Sequence, residues 1–461
     1  MTGVFDGVFG RGAAATDGHA WLRAMLDTEA ALARALERAG LAPAGAGAAV
    51  TAAAVSAEAS AGGRFGLAAL GRQAALSGNP VPGLVAALRK AVPPDAADTV
   101  HRGATSQDII DTAAMLLARD ALAAAAADLA SAAGGCARLA EAYRGTLMIG
   151  RTLLQQAVPV TFGLVAAGWL TGLDEAGEAV AGVRERRLAV QFGGAAGTLA
   201  SLGADGPAVA RLLAEELGLA LPVLPWHTDR TRIVEVAAAC AVAAAALAKI
   251  ARDVTLLAQS EVGEVREGGG SGGERRGGSS AMPHKQNPVA AVAILGCTRR
   301  VPGLVATLAA AAEHEYQRAA GAWHAEWEPF ADLLRVTESA ASWAVDLTGG
   351  LVVDPARMRA NLDAARGLPL AERVSELLTP ALGRAAAHDL VARASSHAVA
   401  VGGTLRDTLL GVPDLAGWID GAGITSAQID AALDPAGYLG SAGAFTDAAL
   451  AAHARRSLPA G

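Results

Sequence analysis

Residues 232–262 read RIVEVAAACAVAAAALAKIARDVTLLAQSEV, a stretch without glycine or proline. Its apolar residues recur at alternating steps of three and four: Ile233, Val236, Cys240, Ala243, Leu247, Ile250, Val254 and Leu257. This spacing puts them on one side of a helix and is typical of helices that pack nearly parallel. At about 1.5 Å per residue, the helix spans roughly 45 Å. The stretch therefore predicts a long helix within a bundle.

Four further long helical patterns flank this one. They run over about 106–143, from Pro159 to about 188, from Pro288 onward with a kink at Pro302, and over about 324–347. Proline suits the first turn of a helix, so Pro159 and Pro288 are interpreted as helix starts. Together the five patterns predict a central elongated five-helix bundle, whose surplus apolar surface we expect to be buried against other subunits.

The segments on either side of this bundle are divided by glycine and proline into shorter helices. We therefore expect an all-α chain of three helical domains, at 1–100, 101–348 and 349–461. Within the first domain, residues 20–39 carry an apolar stripe at helical spacing, which Glu29 interrupts. A content of 52% hydrophobic and 18% charged residues in 461 positions is ample for a large core.

Charge and composition exclude several classes of protein. With 38 basic and 45 acidic residues the net charge is −7, and no basic run indicates nucleic acid or an anionic membrane as a partner. The apolar runs are short alanine tracts, and the N-terminus lacks the features of a signal peptide, so we expect a cytoplasmic protein. Three cysteines without CxxC spacing predict buried thiols and no metal site.

Residues 266–288, REGGGSGGERRGGSSAMPHKQNP, contain seven glycines before Ser279 and Ser280. Neither helix nor strand tolerates that density, so the segment predicts a mobile loop that carries cations and two hydroxyls. A flexible linker between domains is the alternative. It accounts for the glycines but not for the dense group of Ser, His, Lys and Asn that follows. A phosphate-binding P-loop is excluded, because no glycine precedes Lys-Ser or Lys-Thr.

Three more polar stretches stand in apolar surroundings: residues 101–108, HRGATSQD; 150–159, GRTLLQQAVP; and 225–232, PWHTDRTR. Helix capping by Thr105 or Ser106, and solvated arginines at helix ends, are the structural interpretations. Capping leaves His101 and Arg102 unexplained, so we expect a functional role for these two residues, and we expect Arg151 to bind a carboxylate. For Arg230 a structural role and a substrate role stay open.

The segment 278–288, GSSAMPHKQNP, resembles the signature of the fumarase/aspartase superfamily, and the polar stretches resemble its substrate-binding regions. The resemblance implies a homotetramer whose sites are shared between subunits, without a cofactor. Ser279 is implied to transfer a proton at carbon, with Lys285 as its cationic partner and Ser280 as the other candidate. The residues implied to bind substrate are His101, Arg102, Thr105, Ser106, Arg151, Thr152, Gln155, His227, Arg230, Arg232, His284 and Asn287.

Leu153 is the main departure from the superfamily pattern, because other members carry a histidine after the threonine at that point. That histidine is the implied general acid in amine-releasing lyases such as adenylosuccinate lyase, which stay the alternative. Residues 225–232, preceded by 191–198, QFGGAAGT, instead resemble the cycloisomerase branch, and Leu153 is consistent with the chemistry of that branch. There, one carboxylate of a tricarboxylate adds to a double bond of its own molecule, and a carboxylate needs no proton donor. An inert member of the fold, like some lens crystallins, is opposed by the intact serine loop.

Overall fold

The computed structural model describes residues 4–59, 65–269 and 276–456. Within these ranges the chain is built from helices and two small antiparallel sheets, so the all-α class is confirmed. The first half contains α1 (Asp6–Phe9), α2 (Gly18–Arg38), α3 (Ala46–Ala59), α4 (Leu67–Ser77), α5 (Val81–Ala91), α6 (Ser106–Ala142), β1 (Leu147–Thr152), β2 (Gln155–Thr161), α7 (Phe162–Arg186) and α8 (Gly206–Leu217).

The second half begins with the predicted seam helix. It contains α9 (Thr231–Leu257), β3 (Val265–Glu267), α10 (Val289–Thr298), α11 (Val301–Ala310), α12 (Ala322–Gly350), β4 (Leu351–Val353), α13 (Pro355–Asp363), α14 (Ala371–Leu382), α15 (Arg384–Val401), α16 (Leu405–Gly411), α17 (Pro413–Gly421), α18 (Ser426–Ala432) and α19 (Ala442–Arg456). All eight seam residues of α9 are buried, which confirms the predicted apolar face.

Two long helices differ from the prediction. Pro159 does not start a helix but lies in β2 opposite Ile149, and α7 begins only at Phe162. The reason is local: the residue before a proline is restricted to extended backbone, which favours a strand at Val158. The segment after Pro288 is divided at Arg299 and Arg300 into α10 and α11, with Pro302 in the first turn of α11, where proline is tolerated.

Helix α6 continues through Gly134 and Gly135, although glycine is unfavourable in a helix interior. A Cβ atom on Gly135 would lie 2.4 Å from Thr348 Oγ1, so glycine is required by the close approach of α12. The three cysteines are buried and free, as predicted, and burial raises the pKa of the Cys240 thiol to about 12.

The chain divides into two compact units. The first comprises Met1–Ala130, Glu175–Ala251 and Val292–Val345, and in it α2 packs against α3 and α8. The second comprises Ser131–Asp174, Arg252–Ala291 and Asp346–Gly461. In it the β1–β2 hairpin packs on α13, and helices α14 to α18 enclose a separate apolar core. The three-domain division at residues 100 and 348 stays a prediction.

Two helical stretches, Thr231–Leu257 and Val289–Ala310, are long and apolar enough to span a membrane on length and composition alone. Half of the most apolar window of the first is buried inside the chain. That burial is typical of a core helix in a soluble protein, and the seam of α9 accounts for it.

Candidate active site

The serine loop, residues 276–288, is closed at its base by Gly277 and Asn287. The Asn287 N–H and its side-chain amide donate to the Gly277 carbonyl at 2.8 and 3.1 Å. Gly277 has φ of +78°, and a Cβ there would lie 2.2 Å from the Asn287 carbonyl oxygen, so only glycine fits. Asn287 therefore holds the loop closed in this structure. The glycines at 270, 272 and 273 lie outside the described residues.

Ser279 is half-buried, and its Oγ accepts a hydrogen bond from the Met282 N–H at 3.1 Å. Ser280, His284 and Lys285 are exposed in the same loop. A backbone donor aimed at Oγ stabilises negative charge on that oxygen, as a proton-transferring serine requires. This contact distinguishes Ser279 from Ser280.

The loop is anchored at both ends within the second unit. Before it, β3 pairs with β4, with Val265 opposite Val353. After it, the Glu267 carboxylate accepts from the Ala290 and Ala291 N–H groups at the start of α10, at 3.0 and 2.8 Å. Burial raises the pKa of Glu267, although these two donors oppose the rise. The ends of the loop are therefore fixed by paired backbone and by a carboxylate at a helix N-terminus.

Arg151 lies on β1 and forms a bidentate ion pair with Glu264, at 2.9 and 2.7 Å. The Glu264 side chain is fully buried and also accepts from the Asn361 amide at 2.7 Å. Both terminal nitrogens of Arg151 are thus engaged, and the predicted contact with a substrate carboxylate would have to compete with Glu264. Thr152 and Gln155 are exposed and opposite each other in the hairpin.

Leu153 and Leu154 form the turn of this hairpin, with φ of +51° and +63°. Their exposed fractions are 96% and 74%. The Leu153 side chain is therefore not packed within the single chain, since a two-residue turn projects its side chains into solvent. The position offers no proton donor.

In the first unit, Asp108 connects the polar stretches 101–108 and 225–232 with the glycine-rich stretch 191–198. Its carboxylate accepts from the Gly193, Gly194 and Thr105 N–H groups at 2.9 to 3.0 Å. The same carboxylate lies 2.6 Å from His227 Nε2, and both side chains are buried. His227 is thus held in a fixed orientation. Ser106, the first residue of α6, is half-buried and lies two residues before Asp108 in the sequence.

Arg230 is fully engaged by two buried carboxylates. Its guanidinium donates to Asp111 at 2.8 and 3.1 Å and to both oxygens of Glu326. Only 1% of its side chain is exposed, and the neighbouring carboxylates raise its pKa against the effect of burial. Of the two roles left open, the structure supports the structural one, and the assignment of Arg230 to substrate binding is corrected.

Arg232 and Arg102 are less enclosed. Arg232 donates to the Arg187 carbonyl and is half-buried, and burial together with Arg187 lowers its pKa. Arg102 is exposed and donates to the Leu41 carbonyl. Both guanidiniums keep a solvent-facing part that a carboxylate can reach.

Several residues of this region were missed by the sequence interpretation. Arg318 donates to the Gly194 and Ala195 carbonyls at 2.6 and 3.2 Å, so the glycine-rich stretch 191–198 is held by both Asp108 and Arg318. Glu264, Asp111 and Glu326 are the acids that pair with the predicted cations. For Asp111 and Glu326, the only signal in the sequence was a carboxylate inside a helical pattern.

His101 has a left-handed backbone with φ of +62°. Its N–H donates to Glu29 Oε2 at 3.0 Å, and its Nδ1 lies 2.6 Å from Glu29 Oε1. Glu29, which interrupts the apolar stripe of α2, therefore has its partner in the first polar stretch.

The chain is similar to known proteins over nearly its whole length. The family model described as "Lyase" matches residues 12–303, and "Adenylosuccinate lyase C-terminus" matches residues 367–449. The 3-carboxy-cis,cis-muconate cycloisomerase of Bradyrhizobium diazoefficiens is 46% identical over 95% of this chain and 94% of that protein. The nitrosuccinate lyase of Streptomyces davaonensis is 46% identical over 95% of this chain and 91% of that protein. Among solved structures, the 3-carboxy-cis,cis-muconate lactonizing enzyme from Pseudomonas putida matches with a TM-score of 0.89 at 41% identity, covering 99% and 100% of the two chains.

Proposed function

Because this chain belongs to the lyase family, within the fumarase/aspartase superfamily, we propose that it is a cycloisomerase that closes 3-carboxy-cis,cis-muconate to a carboxymuconolactone. Such a reaction belongs to protocatechuate degradation by the β-ketoadipate route. The observation that carries the proposal is the similarity in sequence and structure to 3-carboxy-cis,cis-muconate cycloisomerases. Leu153, where amine-releasing members carry a histidine, opposes the alternative of amine release.

The chemistry explains why a leucine suffices there. A carboxylate oxygen of the substrate forms a bond to one carbon of a double bond in the same molecule. The π electrons move to the adjacent carbon and onto its carboxylate, and the resulting carbanion then accepts a proton. In the reverse direction the leaving group is a carboxylate, whose conjugate acid has a pKa of about 4, so it departs without protonation. An amine leaving group would need a general acid, worth roughly 10²–10⁴-fold in rate.

Ser279 is the group proposed to exchange the proton at carbon. The Met282 N–H donates to its Oγ, and Lys285 supplies a cation in the same loop. These groups support an alkoxide, which a serine in water does not sustain. Ser280 is exposed and stays the alternative.

The three substrate carboxylates require several cationic or donor groups. We assign them to His101, Arg102, Arg232 and His284, with Thr105, Ser106, Thr152 and Gln155 as neutral donors. Arg151 takes part only if it exchanges Glu264 for substrate, and His227 is fixed by Asp108. We further propose a cytoplasmic homotetramer in which several subunits complete each site, because these groups lie on separate segments of the chain.

Nitrosuccinate lyase activity is the second candidate, since that relative is as similar to this chain as the cycloisomerase. Nitrite, like a carboxylate, is the anion of an acid and leaves without a proton donor. Leu153 is therefore compatible with both reactions and disfavours only the release of an amine.

Purified protein should be assayed with 3-carboxy-cis,cis-muconate, nitrosuccinate and adenylosuccinate in parallel. We expect loss of diene absorbance with the first substrate at a kcat/KM at least a hundredfold above the other two. Nitrite release that exceeds lactone formation would transfer the assignment to the second candidate. Fumarate release from adenylosuccinate at a comparable rate would overturn the argument from Leu153.

A further inference from the structure

Glu29 is an acidic residue in the middle of an apolar helix face. Its side chain is fully buried, and the helical residues around it in α2, such as Met25, Leu26, Leu32 and Ala33, are buried too. Burying a carboxylate costs free energy unless it is paired or hydrogen-bonded. A residue kept at that cost needs a specific partner.

Both oxygens of Glu29 contact a single residue, His101. Oε2 accepts the His101 backbone N–H at 3.0 Å, and Oε1 lies 2.6 Å from the ring nitrogen Nδ1. His101 has φ of +62°, a conformation that costs a residue other than glycine roughly 1–3 kcal/mol and persists only where its surroundings hold it. The ring keeps 17% of its surface exposed.

We propose that Glu29 is a positioning residue for the reaction, which holds His101 in one orientation and one protonation pattern so that its Nε2 binds a substrate carboxylate. The identity of the substrate rests on the proposed function, and the orientation and protonation of His101 rest on the Glu29–His101 geometry.

The protonation pattern follows from the inventory of donors and acceptors. An ionised carboxylate only accepts, so Nδ1 must carry a proton. A neutral ring would leave Nε2 as an acceptor, which cannot bind a carboxylate. The form that binds substrate is therefore the imidazolium, which presents Nε2–H to the anion while Nδ1–H faces the negative charge of Glu29. This is the arrangement by which carboxylates orient histidines in other sites.

Glu29→Gln tests the proposal because an amide reverses the pattern. The backbone N–H of His101 can only donate, so the amide oxygen must face it and the amide NH₂ must face Nδ1. Nδ1 then has to be unprotonated, and a protonated ring is disfavoured. The shape of the buried side chain is retained.

We expect Glu29→Gln to lower kcat/KM by about tenfold to a hundredfold, mainly through a higher KM, because a neutral ring replaces the charged one in the hydrogen bond to the substrate carboxylate. Glu29→Asp keeps the charge and should retain more activity than Glu29→Gln. In a His101→Ala background, Glu29→Gln should have no further effect on kcat/KM, since Glu29 acts through His101.

Asp174→Asn is the matched control. His453 Nδ1 lies 2.9 Å from Asp174, whose side chain is 8% exposed, so the substitution also disturbs a histidine–carboxylate pair with little solvent access. It should lower the melting temperature as Glu29→Gln does, with kcat/KM unchanged.

Neutron diffraction gives a readout that is independent of turnover. We expect deuterium on His101 Nδ1 in the wild type, and on Nε2 as well when a tricarboxylate is bound, whereas in Glu29→Gln we expect it on Nε2 alone. The proposal is overturned if the protonation pattern stays the same, or if Glu29→Gln lowers kcat/KM equally with and without His101. If Glu29→Gln does not fold, Glu29→Asp takes its place, and an unprotonated His101 Nδ1 in that variant overturns the proposal. A wild type that is inactive on 3-carboxymuconate, with the expected deuterium positions, refutes the proposed function and leaves the positioning of His101 intact.

Discussion

At the scale of single residues, Leu153 and Leu154 occupy backbone conformations that residues with side chains rarely adopt. Two successive positive φ angles at a hairpin turn are typical of a type I′ turn, where Asn-Gly is the preferred pair. Each left-handed leucine costs about 1–2 kcal/mol. No packing among the described residues compensates that cost, since both side chains are exposed. Contact with a neighbouring subunit of the proposed tetramer would compensate that cost.

Ser279→Ala should lower turnover far more than it weakens binding. The hydroxyl transfers a proton to or from a carbon of the bound substrate, but it is not what holds the substrate in place. We expect kcat to fall by roughly 10²-fold or more with a small change in KM. Steady-state kinetics with Ser280→Ala as the matched variant provides the check. Near-normal turnover for Ser279→Ala together with an inactive Ser280→Ala would assign the proton transfer to the other serine.

At the scale of elements, buried ion pairs connect helices far apart in sequence. Arg230, next to the start of α9, binds Asp111 on α6 and Glu326 on α12, and Trp323 Nε1 donates to Asp111 at 2.9 Å. A cation between two buried acids is costly to remove, because the acids are left unpaired. This cluster specifies how the three helices meet.

Arg230→Met should therefore destabilise the protein by about 3–5 kcal/mol. Denaturant unfolding measures the loss, with Arg38→Met as a control. Arg38 pairs with Glu215 and Glu216 at the surface, where solvent screens the charges, so that substitution should change little. If Arg230→Met kept the stability of the wild type but raised KM strongly, Arg230 would be a substrate ligand after all.

Glu338 on α12 makes stability depend on pH. Burial, and then the negative charge of Asp128, raise the pKa of Glu338 from 4.5 to about 7. Between these values the folded protein holds a proton that the unfolded chain has lost, so the free energy of unfolding decreases as pH rises from about 4.5 to about 7. At higher pH the folded state carries the full cost of the buried charge.

Glu338→Gln removes this titration. The difference in unfolding free energy between variant and wild type should therefore shift by about 1 kcal/mol in favour of the variant from pH 5 to pH 8, a value discounted for partial exposure of the side chain. Unfolding free energies of the variant and the wild type at the two pH values measure the difference. An identical pH dependence in both proteins would show that Glu338 does not titrate in this range.

At the scale of the whole molecule, α9 keeps apolar surface that the chain does not bury. Val242 is 46% exposed between Ala238 and Ala245, which are also exposed, on the face opposite the seam. We expect this row of apolar residues to contact a neighbouring subunit of the proposed tetramer.

Val242→Glu should lower the mass in solution below that of a tetramer, because a charge would be buried in the interface. Light scattering measures the mass, and Val55→Glu, on the exposed side of α3, is the matched control that should leave it unchanged. A wild-type protein that is monomeric and fully active would contradict the proposal of shared sites.

The sequence by itself determined the helical class, the buried seam of α9, the buried cysteines and the serine loop, because each depends on a local pattern: a 3.6-residue period or a short motif. Only the tertiary structure decided which predicted cations are free. Arg151 meets Glu264 across 113 positions, and Arg230 meets Glu326 across 96. No local pattern reports such pairs, since the partners become neighbours only when the helices pack. The same reason explains Glu29, an anomaly in the helix pattern until the fold brings His101 to it.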